Sequence, residues 1–198
     1  MDTQAIFNHF IPILEKITVD ALEEVYECDC TQPIPRITLA SGVYRGAIID
    51  EDYDWILKFD LRDDECCARE EELYAYAREE DIECMFAECA YAGYWEGYVF
   101  YAYPKADCSY CFRKVTPEEH NKLTSYRNSP LKERGESIAA DLLQIWGEEK
   151  LAELNDFCYR YNIDDLHGGN IGYIAGKLVL TDYAGAPSTD YYESEEDV

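Results

Sequence analysis

Asp165, Asn170 and Asp182 stand close in sequence around two short apolar runs, and all three carry side-chain oxygens. The runs, Asn170 to Ile174 and Leu178 to Thr181, flank Ala175-Gly176. That pattern predicts a β-hairpin with Gly176 at positive φ in the turn. A tight loop ending in Asn170 leads into the hairpin and Asp182 leads out of it, so the three residues converge at one end of a ribbon. Asn and Asp offer the hard oxygen ligands that suit Mg²⁺. A further Asp nearby can orient a hydroxyl for attack on a phosphate. The bland alternative is an acidic hairpin with ordinary turn residues.

The segment Asp165-Leu166-His167-Gly168-Gly169-Asn170 resembles the D-L-x-x-x-N catalytic loop of protein kinases. It resembles still more the D-L-H-x-G-N loop of aminoglycoside phosphotransferases. Asp182-Tyr183-Ala184-Gly185 sits where the kinase D-F-G would be, with one residue inserted before the Gly. The resemblance implies Asp165 as the base toward the acceptor hydroxyl, and Asn170 and Asp182 as Mg²⁺ ligands.

The elements upstream must supply the rest of such a site. Ile37 to Leu39, Val43 to Ile49 and Asp54 to Phe59 have strand character. They resemble the first three strands of a kinase N-lobe. Lys58 then matches the third-strand Lys that holds the nucleotide phosphates; read plainly, it is a strand Lys turned to solvent. Asp63 to Glu80 reads as a charged helix with Leu73, Tyr74 and Ala77 on its apolar stripe. Glu70 has the spacing to those residues of the acid that positions the kinase Lys, with Glu71 and Glu72 as alternatives. The glycine-rich loop departs from the family: only Gly42 and Gly46 stand near the first turn, as candidates to cradle phosphate through backbone N–H groups. Met85 to Tyr91 and Gly97 to Tyr103 read as strands four and five, joined by a turn at Gly93 to Glu96. Ala102 and Tyr103 fall at the expected hinge, where backbone groups would bind the adenine of ATP.

Residues 2 to 27 read as helical, with Pro12 bending or dividing the segment. After the hinge the pattern is helical again. Thr116-Pro117-Glu118-Glu119 is a start signal with Thr at the N-cap and Pro at the first helical position. Ser129-Pro130 opens another helix. Ile138, Leu142, Ile145 and Trp146 share a face up to Gly147, and a further helix follows to an end at Asn162 in the left-handed conformation. The expected fold is α+β: a minimal protein-kinase-like unit with an antiparallel N-lobe sheet, one helix, and a truncated, mainly helical C-lobe. Its segments are 1–35 (N-terminal helical), 36–103 (N-lobe), 104–186 (C-lobe with the catalytic hairpin) and 187–198 (acidic tail). The absence of an A-P-E motif and of later helices resembles the short kinase-like proteins of bacteriophages and prophages.

The 198 residues include 42 Asp and Glu against 17 Lys and Arg, a formal net charge of −25. Such a chain is repelled by nucleic-acid phosphates and anionic membranes, which disfavours both as partners and favours a basic protein. From Asp50 to Glu96 alone there are 17 acidic residues and 4 basic ones. Nine cysteines, with no basic-then-apolar leader pattern at the N-terminus, suggest free thiols in a reducing cytoplasm, that of a host if the source is a phage. Zinc held by Cys28, Cys30, Cys108 and Cys111 is a weaker alternative. No apolar run is long enough to cross a membrane.

Three functions follow as expectations. The first is a Mg²⁺- and ATP-dependent phosphotransferase acting on a protein or small-molecule hydroxyl. The second is an inactive kinase-like protein that works by binding a partner. The third is an acidic inhibitor that occupies the nucleic-acid-binding surface of a host protein.

Overall fold

A computed structural model describes residues 1–17, 22, 36–42, 44–61, 65–124, 136–164, 166 and 168–184. The chain divides into two compact units. Among the described residues, the first holds those of Met1–Glu72 and Glu88–Lys105, and the second those of Leu73–Ala87 and 106–184.

The first unit is built on a five-stranded antiparallel sheet. Its strands are β1 (Ile37–Ser41), β2 (Arg45–Asp50), β3 (Trp55–Asp60), β4 (Ala90–Trp95) and β5 (Tyr98–Pro104), in the order β1-β2-β3-β5-β4. Side chains alternate across a pleated strand, so each strand feeds both faces. Ile48, Leu57, Phe59, Phe100 and Ala102 point to one face, where they form a core with Ile6, Phe7, Phe10 and Leu14 of helix α1 (Thr3–Leu14). Burying a ring such as Phe59 or Phe100 contributes up to about 3 kcal/mol each. The Asp2 side chain accepts from the Ala5 N–H and starts α1. Pro12 is accommodated inside the helix, two residues before its end. Of the remainder of the expected helix to residue 27, residues 18–21 and 23–27 lie outside the described residues.

The β4–β5 hairpin differs from the expected one. Residues 83–85 form a 3₁₀ turn, β4 runs from Ala90 to Trp95, and Gly93 lies inside it. The turn is Glu96-Gly97, with both residues at positive φ (46° and 98°). That is the two-residue geometry matching the right-handed twist of the flanking strands. Gly93 has a packing reason instead: a Cβ there would stand 2.5 Å from the Phe7 ring of α1.

The other face of the sheet receives the first half of helix α2 (Cys66–Glu79). Cys67 packs there with Cys89, Tyr101 and Tyr103. From Leu73 onward α2 belongs to the second unit. Leu73 and Ala77 are buried in that unit's core and Tyr74 packs against it, as the stripe predicts.

The second unit is mainly helical. Helix α3 (Pro117–Leu123) starts with the expected capping box: Thr116 accepts from the Glu119 N–H, and Glu119 accepts from the Thr116 N–H. Helix α4 (Glu136–Arg160) is broken at Gly147 (φ 85°, ψ 173°), where the two expected helices meet. It ends as expected, with Asn162 at φ 52° and the Ile163 N–H reaching back to the Cys158 carbonyl at 2.9 Å. Strands β6 (Ile171–Ile174) and β7 (Lys177–Leu180) form the expected hairpin through Ala175 and Gly176, both at positive φ. The helix expected at Ser129-Pro130 and the tail 187–198 lie outside the described residues. Among the described residues, no helix is long and apolar enough to cross a membrane.

Candidate functional site

The α2 face of the sheet carries a buried charge cluster. In antiparallel pairing, residues opposite each other point to the same side. The register pairs Arg45 with Asp60 and Lys58 with Tyr101. With the two-residue alternation along each strand, Arg45, Lys58, Tyr101 and Tyr103 therefore share one face. Helix α2 lowers Glu70 onto it.

Glu70 is 0% exposed, which requires its charge to be balanced. Arg45 Nη1 lies 2.8 Å from Glu70 Oε1, and the Tyr103 hydroxyl donates to Glu70 Oε2 at 2.6 Å. The Lys58 ammonium lies over the Tyr103 ring, 4.3 Å from its centroid. Burial alone would raise the Glu70 pKa. The charge of Arg45, then that of Lys58, outweighs burial and brings it down to about 2. The same burial lowers Lys58 and is opposed by Glu70. It also pushes Tyr103 well above the usual phenol range, with Glu70 adding to the effect. Glu70 is thus a fixed anion and Tyr103 a fixed donor.

The two alternative acids have other surroundings. Glu71 is partly buried and accepts the Tyr91 N–H at 2.7 Å, and Glu72 is exposed. Arg45 and the Tyr103 hydroxyl were not singled out from the sequence. Arg45 is the one charged residue in the run Val43 to Ile49, and that intrusion is the signal for it. Cys67 and Cys89 also border the cluster. Burial raises both thiols, which keeps them protonated and unreactive.

The two candidate phosphate-loop glycines have different settings. The Gly42 N–H donates to the Arg45 carbonyl at 2.8 Å, so this amide closes the β1–β2 turn. Gly46 lies in β2 opposite Phe59, where any Cβ would run into the Phe59 ring. Packing alone explains a glycine at 46. At the expected hinge, Ala102 pairs with Leu57 on one side and Ala90 on the other, while Tyr103 pairs with Ile56. Pairing with β4 ends at Ala102, one residue before Tyr103.

The second group of residues sits at the base of the β6–β7 hairpin. The Asn170 carbonyl accepts the Thr181 N–H at 2.8 Å and the Asp182 N–H at 3.4 Å. One backbone oxygen thus ties the main chain of Asn170 to that of Thr181 and Asp182. Asn170 is buried and Asp182 partly so. The hairpin is clamped along both edges. Asp107 and Tyr173 exchange N–H to carbonyl bonds at 3.0 and 2.9 Å, and the Ala87 N–H donates to the Leu180 carbonyl at 2.7 Å. Tyr183 is buried, and its hydroxyl donates to the Ala87 carbonyl at 2.9 Å. Gly172 permits the close approach, since a Cβ there would lie 2.9 Å from that of Ala106.

Asp165 lies outside the described residues. Of its neighbours, Asp164 is exposed and Leu166 is fully buried. Among the described residues, no group of three or more His, Cys, Asp or Glu is placed to hold a metal ion. Cys108 and Cys111 are exposed free thiols, and Cys28 and Cys30 lie outside the described residues. Asn170 and Asp182, adjacent through their backbone, carry the hard side-chain oxygens that Mg²⁺ takes as ligands.

Comparison with protein-family models, curated proteins and solved structures finds no match to this chain.

Proposed function

We propose that this chain is a minimal kinase-like phosphotransferase that uses Mg²⁺ and ATP. The observation that carries the reading is the buried Glu70 carboxylate, set by α2 onto the sheet face that presents Lys58. An anion fixed there by helix packing serves to orient cations that will meet phosphate. The strand order β1-β2-β3-β5-β4, with helix α2 between β3 and β4, supports the same reading.

In this reading Lys58 holds the phosphates and Glu70 positions Lys58. Ala102 and Tyr103 offer backbone groups to the adenine, and Asn170 and Asp182 hold Mg²⁺. Bound Mg²⁺ supplies neutralisation of the charge that develops between the phosphates. Asp165 accepts the proton of the acceptor hydroxyl. The acceptor class is a hydroxyl of a protein or a small molecule. Resemblance to phage-encoded proteins makes a host component the natural candidate, in the host cytoplasm.

A second reading has its own support. Arg45 engages the Glu70 carboxylate directly, and the Gly42 amide closes a tight turn. Both features suit a kinase-like protein that acts by binding a partner, and the net charge of −25 suits a basic one.

Labelled ATP separates the two. Transfer of the γ-phosphoryl group to the chain's own hydroxyls, or to added protein and small-molecule acceptors, is expected with Mg²⁺. Lys58→Ala and Asp182→Asn are expected to abolish it while the circular dichroism spectrum is kept. Asp165→Asn is expected to slow transfer while nucleotide binding persists. Transfer that survives all three substitutions overturns the assignment. Partner inhibition that survives them moves the function to the second reading.

A further inference from the structure

The α2 face of the sheet continues past the charge cluster into exposed aromatic surface. Tyr91 pairs with Tyr101 and Tyr94 with Val99, which puts all four side chains on that face. Tyr94 is 61% exposed, Tyr91 49% and Val99 41%. Large apolar side chains grouped in water mark an interaction surface. Beside them opens a pocket of about 340 Å³ whose walls include Val99, Tyr101, Asp60 and Glu65. The aromatic surface therefore ends at a pocket that bears carboxylates. Glu71 adds a third acid on the aromatic side of this surface, where it accepts the Tyr91 N–H at 2.7 Å.

We propose that this surface docks an arginine-bearing peptide segment of a partner protein, with a guanidinium seated in the pocket. Tyr ring faces attract cations, and the flat guanidinium stacks on them where a lysine ammonium cannot. Its fork of donors suits carboxylate oxygens, which exposed Glu65 supplies together with Asp60, an acceptor that also takes the Cys67 N–H. The aliphatic stem of the arginine covers Val99. A second copy of this chain is disfavoured as occupant, because each copy carries a net charge of −25. Nucleic acid is disfavoured for the same reason. The inference uses the sheet unit alone and does not depend on nucleotide binding.

The probe is a fluorescein-labelled (Arg-Gly)₄ peptide, followed by anisotropy at about 0.15 M ionic strength, where distant charges are screened. The double variant Tyr91→Ala/Tyr94→Ala leaves the net charge unchanged, and both positions are exposed, so the fold is expected to survive; circular dichroism checks it. Binding is expected to weaken about tenfold in this variant. Glu65→Gln is expected to weaken it as well, whereas Glu149→Gln, an exposed acid of the helical unit, is expected to leave it unchanged. The (Lys-Gly)₄ peptide is expected to bind less tightly than its arginine counterpart. Unchanged affinity in the Tyr double variant overturns the proposal, and so does an equal loss in Glu65→Gln and Glu149→Gln, which would mean diffuse charge attraction. Self-association of the wild type that the Tyr double variant dissolves would assign the surface to a second copy and overturn it too.

Discussion

The Arg45 guanidinium and the Glu70 carboxylate lie 2.8 Å apart inside the sheet unit, one from β2 and the other from α2. A buried carboxylate that loses its closest cation is left under-compensated in a poorly polarisable interior. Arg45→Ala is therefore expected to destabilise the chain by about 3–5 kcal/mol. Replacing both partners with apolar residues of similar volume, Arg45→Met with Glu70→Leu, is expected to recover much of that loss. Urea denaturation of the single and double variants measures it. A loss below about 1 kcal/mol in Arg45→Ala would place the pair among ordinary surface ion pairs.

The pH dependence follows from the same carboxylate. Its folded pKa, about 2, lies below the ordinary value of 4.5, so the folded state binds this proton less readily than the unfolded state does. The associated stability is present above pH 4.5 and is lost as the pH falls toward 2. Asp60 has the opposite sign, because burial raises its pKa. Comparison with Glu70→Gln cancels the acids that do not sense Glu70, while Asp60, whose pKa the Glu70 charge helps to raise, changes with it. The stability gap between wild type and Glu70→Gln is expected to close as the pH falls through that window. A constant gap would show that Glu70 is not held as a fixed anion.

Gly46 separates packing from phosphate binding. Gly46→Ala forces a methyl group against the Phe59 ring and is expected to cost about 1–3 kcal/mol of stability. At Gly42 the nearest atom to an added Cβ is the Arg45 carbonyl oxygen, 3.9 Å away. Gly42→Ala is accordingly expected to change stability by no more than about 0.5 kcal/mol. Denaturation curves that rank the two variants the other way would contradict the packing account.

What the sequence revealed depended on how local each signal is. The Ala175-Gly176 hairpin, the Thr116 capping box and the Asn162 helix end are written in adjacent residues, and all three stand as read. The β4–β5 turn was misread because Gly93 looks like a turn glycine. Its reason is the Phe7 ring, a contact from the far end of the unit's sequence that no local pattern shows. Glu70 was legible from its spacing to Leu73 and Ala77. Its partnership with Arg45 was not, because it depends on strand register and on which face α2 covers. The adjacency of Asn170 and Asp182 was legible, since a short hairpin must return its second strand beside its first.

Nucleotide binding tests the central claim most directly. A ligand that binds only the folded state raises its stability by about 2.7 kcal/mol at a hundredfold excess over Kd. For a chain of this size the melting temperature is then expected to rise by about 5 °C or more. Melting curves recorded with Mg²⁺ alone, ATP alone and both together are the measurement. The account predicts a concentration-dependent rise with both together, reduced in Lys58→Ala and in Asp182→Asn. A melting temperature that stays fixed across millimolar Mg²⁺ and ATP would contradict it.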